Sequence, residues 1–488
     1  MLSRLGDRLA AFFRATAPDP FVIAVLLTLV TAGLALVRTD ATPASLVDAW
    51  TGQDQGQLGF GKDGVWRLLA FAMQMCLILV TGHALASTRP VLWTINKLAA
   101  LPRTGPQAVV VVAFAAALLG LINWGLALVG GAIIARRVGL AMRARGIAVH
   151  YPLVAAAGYM GLLVFHGGFS GTAPLKVTTE KDIAELFGSG GAGGGLPIAP
   201  IPIDDTLLSP MNFIITGGLV LLAPLVLALL HPRAGGGNGA AAMIRTPDRY
   251  VREGGERAGE GAGALPAGGF DGERPGAFVR LMEDTPIING VLAAIIGVWA
   301  WGYYFPGGGK ASGAMSLTPD SVNLTMLMLG LILHGTPRRY IAAVEEAASG
   351  CGAIIIQFPL YAGIMGMMQA SGLTKLIAED ISGASTPGTL PLMTFLAATV
   401  VGLFIPSGGA QWAVQGPIAL QTAADLGVEP SKMVMAIAYG DQLANMPQPF
   451  WALPLLAITG VKARDIIAYT VIVMGVGMLW VGAWLLVL

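Results

Sequence analysis

Two apolar runs in this chain, 107–135 and 391–421, are too long for one ordinary membrane crossing, and each is interrupted near its middle. A crossing helix takes about 20 residues. The first run is broken at Asn123-Trp124-Gly125, the second by the stretch IPSGGAQW from Ile405 to Trp412. Pro406 lacks a backbone donor, and the adjacent Gly408 and Gly409 lose more entropy in a helix than other residues do. In hydrocarbon every peptide group needs a partner, so such a break survives only where protein or a water-filled cavity covers it. Breaks at membrane depth point to a transporter's binding site, with a kinked structural helix as the plain alternative. A helical hairpin that enters the membrane and turns back accounts for both lengths.

The remaining runs long enough to span lie at 20–37, 67–86, 151–175, 207–231, 286–305, 321–335, 348–370, 433–459 and 466–488. With 55% hydrophobic residues, 12% charged and a mean hydropathy of +0.70, the chain reads as an all-α polytopic membrane protein. The loops on both sides of 107–135 are basic: Arg89, Lys97 and Arg103 before it, Arg136, Arg137, Arg143 and Arg145 after it. A full crossing would put these clusters on opposite faces, against the positive-inside rule, whereas a hairpin keeps both in the cytoplasm. The loops around 391–421 carry Glu379, Asp380, Asp425 and Glu429 instead, so that hairpin is expected to enter from outside. Nine crossings result, with a cytoplasmic N-terminus. Leu2, Leu5, Leu9 and Phe12 recur at helical spacing against Arg4 and Arg8, which predicts an amphipathic surface helix over 1–16. The run from Phe21 reads as a first span rather than a cleaved signal.

The two halves resemble each other. Gln74 precedes Asn123, and Gln357 precedes Pro406, by the same 49 residues; Tyr159 precedes Pro174, and Tyr439 precedes Pro454, by the same 15. An odd number of crossings separates the halves, so the second is inverted, as in many secondary transporters. The expected division is a first membrane repeat over 17–231, a flexible cytoplasmic linker over 232–282, a connecting helix over 283–306 and a second repeat over 307–488. The glycine-rich run at 187–197 lacks the Lys-Ser/Thr of a phosphate loop.

Polar residues at membrane depth are costly and face an interior or a cavity. The first hairpin tip supplies Asn123 and Trp124, and the broken segment after it supplies His166 and Ser170. The second tip supplies Ser407, Gly408, Gln411 and Trp412, and its following segment supplies Asp441, Asn445 and Gln448. Gln74 and Gln357 are single amides in apolar helices, where helix–helix adhesion competes with site lining. Asp441 is either a proton carrier, part of a cation site or a structural cap. No Arg or Lys lies at comparable depth, so an anion would be held by hairpin-tip amides, helix N-termini and neutral donors. Unwound carbonyls are available to Na⁺. The cysteines Cys76 and Cys351 form no disulfide or metal spacing, and no HExxH, GxSxG or paired intramembrane acids suggest an enzyme. A channel would need a symmetric filter rather than two unlike breaks. No cofactor and no nucleic-acid partner is expected; the coupling ion is Na⁺ or H⁺.

The stretches APDPFVIAVLLTL (17–29), INWGLALVGGA (122–132), GGFSGTAPL (167–175), IPSGGAQWAVQGP (405–417) and MAIAYGDQLANMPQPFWALPLLAITG (435–460) resemble the short-chain fatty acid transporter family. The resemblance covers nearly the whole chain and is weakest at 176–205 and 232–280. It implies uptake of butyrate, acetoacetate and similar monocarboxylates across the bacterial inner membrane. It also implies kinship with inverted-repeat carriers that carry two hairpins, tend to be homodimers and move substrate by an elevator motion. On that reading Asn123, Trp124, Ser170, Ser407, Gln411, Asn445 and Gln448 form a midplane site and Asp441 couples an ion, with His166 a second coupling candidate. The four-carbon chain would rest on Trp124, Trp412 and nearby Phe or Met. A carrier of another small anion, such as a dicarboxylate, and a Na⁺/H⁺ antiporter are the alternatives.

Overall fold

The computed structural model describes residues 2–54, 57–58, 64–187, 198–232, 276–306, 318–383 and 385–487. The expected linker therefore lies outside the described residues from 233 to 275, as does the glycine run from 188 onward. Among the described residues the fold is helical apart from one two-residue ladder that pairs Gln53 with Leu58.

The first half opens with α1 (Leu2–Thr16), α2 (Pro20–Arg38), α3 (Pro43–Thr51), α4 (Leu69–Ala86) and α5 (Arg89–Ala100). It continues with α6 (Gly105–Ile122), α7 (Trp124–Ala144), α8 (Tyr151–Gly158), α9 (Thr172–Leu175), α10 (Glu180–Phe187) and α11 (Pro210–Leu230). Then come α12 (Ala277–Glu283), α13 (Ile287–Tyr304), α14 (Pro319–His334), α15 (Pro337–Ala348), α16 (Gly352–Ala370) and α17 (Leu373–Ser382). The chain ends with α18 (Leu390–Phe404), α19 (Gly408–Leu426), α20 (Pro430–Ala444), α21 (Pro449–Thr459) and α22 (Ala463–Val487). Among the described residues, eight helical stretches are long and apolar enough to cross a membrane. The expected spans are helical, except that 151–175 holds only the short α8 and α9 joined by tight turns, and 433–459 is interrupted between α20 and α21. The short helices between them, such as α5 and α15, are amphipathic rather than apolar, so a search for apolar runs passes over them.

Both long runs fold back on themselves. Leu119 of α6 faces Gly130 of α7, and Ala116 faces Gly131, the reversed order of an antiparallel pair joined at Asn123. In the second pair the Gln411 amide of α19 donates to the Ala398 carbonyl of α18 at 2.8 Å. The breaks are narrower than the sequence suggests. Only Asn123 is non-helical in the first, and only Ile405, Pro406 and Ser407 in the second. Gly408 and Gly409 start α19 instead of interrupting a helix, because Ser407 caps it: its hydroxyl accepts from the Ala410 amide at 3.4 Å.

Glycine lets the first hairpin approach the broken segment backbone to backbone. A Cβ on Gly131 would stand 2.1 Å from the Gly158 carbonyl oxygen, and one on Gly120 would stand 2.3 Å from that of Gly161. Small residues at such crossings supply the packing that lipid cannot. Gly131→Ala should therefore lower the melting temperature of the detergent-solubilised protein, since overpacking costs about 1–3 kcal/mol. Gly217→Ala in α11, where a Cβ meets nothing within 4 Å, should leave it unchanged or raise it. Equal melting of the two variants would contradict the close approach.

The halves also brace each other. Tyr159, just past α8, donates its hydroxyl to the carbonyls of Asn445 at 2.9 Å and Gln448 at 3.4 Å, spanning the break between α20 and α21. Tyr439 of α20 donates to Asn212 Oδ1 of α11 at 3.1 Å, and Asn212 Nδ2 donates to the Gly167 carbonyl in the first broken segment at 2.9 Å. The amphipathic α1 packs on α22 and α11 through Leu9 and Phe13, while Phe12 is exposed.

Candidate functional site

Residues in or flanking the four breaks line one cavity of about 220 Å³. Its polar wall is made by His166, Thr172, Ser407, Gly408, Gly409 and Asp441. Phe71, Trp124, Phe165 and Trp451, with Leu162, form the apolar wall. Phe71, Trp124 and Trp451 meet at ring-centroid distances of 5.3–6.0 Å. Behind them Phe358 and Phe450 stack at 4.1 Å, which closes this side with a double layer of rings.

His166 joins the halves. Its Nδ1 accepts from the Thr172 amide at 3.1 Å, so Nδ1 carries no proton. The remaining ring nitrogen, Nε2, then bears the hydrogen and donates it to Asp441 Oδ2. The Thr172 bond thus selects the neutral tautomer, and a second proton on His166 would break it. Both side chains are buried. No Lys or Arg lines this cavity, so the Asp441 carboxylate has no formal countercharge there.

The two hairpin tips differ in what they leave open. At the start of α7, Asn123 Oδ1 accepts from the amides of Gly125 and Leu126 at 2.9 and 3.2 Å, and Ser170 Oγ accepts from Trp124 N at 3.0 Å. Side chains therefore seal that first turn. At the start of α19 the cap serves Ala410 and the first intrahelical bond begins at Gln411, which leaves the amides of Gly408 and Gly409, two residues of the cavity wall, without an intrahelical partner. These donors, at the positive end of a helix of 19 residues, suit a carboxylate.

Of the residues singled out from sequence, the cavity gathers Trp124, His166, Ser407, Gly408 and Asp441. Asn123 and Ser170 act one step behind it as caps. Asn445 offers its carbonyl to Tyr159, and Gln448 Nε2 donates to the Gly402 carbonyl in the last turn of α18. Gln411 lies inside the second hairpin, where its Nε2 donates to Ala398 O and Gln415 Oε1, both at 2.8 Å. Trp412 stands apart: its ring is buried in a separate cluster with Ala173, Leu420 and Ile437. Gln74 is turned away too, donating to Asp320 Oδ1 of α14 at 2.7 Å. Gln357 borders a second, wider cavity of about 620 Å³, whose rim mixes Asp19 and Glu346 with Arg136, Lys462 and Arg464. The sequence pointed to nearby Phe or Met without singling out Phe71, and Trp451 was passed over. The one available signal was the position of Trp451 directly after the Pro449-Phe450 restart of the broken helix.

Comparisons with known proteins identify the family. Relatives in Escherichia coli (strain K12) and Haemophilus influenzae, each named "Putative short-chain fatty acid transporter", are 37% and 35% identical over 96% of this chain and 96% of their own. Among solved structures, the Alcanivorax borkumensis YdaH transporter aligns with a TM-score of 0.40 at 16% identity, over 96% of this chain and 98% of that one. Neisseria gonorrhoeae MtrF aligns with a TM-score of 0.40 at 13% identity, over 98% and 97%. The model of the short chain fatty acid transporter family matches residues 1–487, and the chain belongs to that family.

Proposed function

We propose that this protein is an ion-coupled carrier of short monocarboxylates such as butyrate and acetoacetate in the bacterial inner membrane. The observation that carries the reading is the open first turn of α19 facing a small cavity walled by aromatic rings. The carboxylate sits on the Gly408 and Gly409 amides, with the hydroxyls of Ser407 and Thr172 beside it. The hydrocarbon tail lies on Phe71, Trp124 and Trp451. Neutral donors and a helix terminus hold one negative charge without a permanently buried cation, and the cavity offers no second cluster of donors for a dicarboxylate.

Asp441 makes the ion obligatory. A carboxylate about 5 Å from a bound anion repels it by about 3 kcal/mol at an effective dielectric of about 20. That is roughly a hundredfold in affinity, so the anion binds well only after an ion has neutralised Asp441. The matched spacings of the two halves support two inverted repeats around this site, with an elevator-type displacement of the hairpins and a homodimeric assembly as the expected mechanism.

The test is uptake of labelled butyrate into proteoliposomes under an imposed ion gradient. Accumulation competed by acetoacetate and not by succinate is expected; none by folded protein under any gradient rejects the substrate class. Gly408→Ala sharpens the test. A Cβ there would lie 2.9 Å from His166 Cε1 and 3.0 Å from Asp441 Oδ2, on the surface assigned to the carboxylate. Butyrate affinity of the folded variant should fall at least about tenfold, the value of one charge-assisted hydrogen bond, and melting should fall as well because the Cβ also crowds the buried His166–Asp441 pair.

A further inference from the structure

We infer that the second hairpin holds a Na⁺ site, built by Asp441 Oδ1, Gln411 Oε1 and Gln448 Oε1 around Gly402; the inference rests on the carrier reading above. Gly402 lies in the last turn of α18, and the point where its Cβ would stand is 2.7 Å from the Ala444 methyl, 3.1 Å from Gln411 Oε1 and 3.6 Å from Asp441 Oδ1, so the two oxygens lie close on one side of this residue. The Gln448 side chain docks on the carbonyl of the same residue. All three side chains are at least nine-tenths buried.

Two of these oxygens are orphans. Gln411 cannot be turned over, because its Nε2 already donates to two acceptors, Ala398 O and Gln415 Oε1. Gln448 is fixed in the same way by its bond to Gly402 O. That leaves Gln411 Oε1 and Gln448 Oε1 buried with no donor. A buried acceptor without a donor is costly, so two of them on side chains that meet at Gly402, one of them close to the Asp441 carboxylate, call for a ligand. One proton on Asp441 satisfies a single acceptor. A cation satisfies both and also supplies the charge that neutral His166 does not.

The surrounding field has the same sign. The last turn of α18 carries the negative end of its helix dipole, which favours a cation, while the first turn of α19 favours the anion. The two ends of one hairpin tip therefore present opposite charges to opposite ligands. The ligands are hard oxygens and only one is charged, which suits a monovalent ion better than a divalent one. Among the described residues no group of three or more His, Cys, Asp and Glu could hold a metal, so a search for ionisable ligands alone misses amide oxygens of this kind.

The test uses the full chain in detergent, melted in NaCl, KCl or choline chloride at constant ionic strength, each with and without butyrate. A saturable stabilisation by Na⁺ alone is expected without butyrate. Gln411→Leu should weaken the apparent Na⁺ affinity at least tenfold, and Gln411→Glu, which restores an oxygen and adds charge, should keep or strengthen it. If Gln411→Leu is generally less stable, melting falls equally in all three salts, and the Na⁺–K⁺ difference remains the readout. Stabilisation by butyrate that is indifferent to Na⁺ and instead follows pH would overturn the cation site and leave the carrier standing. Stabilisation by Na⁺ with no response to butyrate or acetoacetate would overturn the substrate assignment and leave the cation site standing.

Discussion

Asp441→Asn is expected to bind butyrate but to lose its ability to concentrate it. The amide keeps the shape of the carboxylate and still offers an oxygen to His166 Nε2, so the bridge between the halves survives. What disappears is the charge. Without it the anion no longer needs a neutralising ion, and the roughly hundredfold gain in butyrate affinity that the ion confers on the wild type should collapse to near unity. In proteoliposomes the variant should equilibrate labelled butyrate down its own gradient and exchange it for unlabelled butyrate. Under an ion gradient it should not accumulate it. The measurement is steady-state accumulation alongside exchange, with melting as a check on folding. If the variant concentrates butyrate as well as the wild type, Asp441 is a structural cap.

The second large effect concerns chain length. Trp451 closes the apolar end of the cavity, with ring centroids 5.3 Å from Trp124, 5.9 Å from Phe71 and 5.1 Å from Phe450. Shortening it to Leu opens space where additional methylenes would lie. Each buried methylene is worth about 0.8 kcal/mol, so two more carbons gain about 1.6 kcal/mol, roughly fifteenfold in the preference for hexanoate over butyrate. Competition between the two acids for uptake reads this ratio directly and cancels differences in expression. Loss of an aromatic ring from a packed cluster also costs about 3–5 kcal/mol in the extreme case of Ala, which is why Leu is the better replacement. An unchanged ratio in a folded variant would move the tail of the substrate away from this wall.

The helices were legible because hydrocarbon imposes one simple rule on composition and length, and the breaks because proline, glycine and asparagine violate that rule at isolated points. What faces the cavity was harder to read. In α19, Gly408, Gln411, Trp412 and Gln415 share a helical face, so polarity and spacing link them all to the tip. Only the first turn reaches the cavity; one turn further, Gln411 turns to α18, and Trp412 packs among Leu420 and Ile437. Phe71 and Gln74 pose the converse case. They lie on one helix about one turn apart, and the apolar residue, not the amide, lines the cavity. In a chain that is 55% hydrophobic an aromatic residue carries no mark of function, so the wall that sets size emerges only once the helices are packed.

The reciprocal tyrosines bear on how the protein is made. The first half's break is held through Asn212, which is itself steadied by Tyr439 from the second half; the second half's break is held by Tyr159 from the first. During synthesis the first half enters the membrane with an unwound segment whose supporting tyrosine lies well over 200 residues downstream and is still untranslated. The Gly167 carbonyl already has Asn212 as its donor, itself held by Thr216, so what is missing for that interval, at elongation rates of about 5–20 residues per second, is the final brace from Tyr439. Maturation should therefore end in a single late docking of the halves. Severing the chain within 233–275 and expressing the two pieces together should still allow that docking, whereas either piece alone should be degraded.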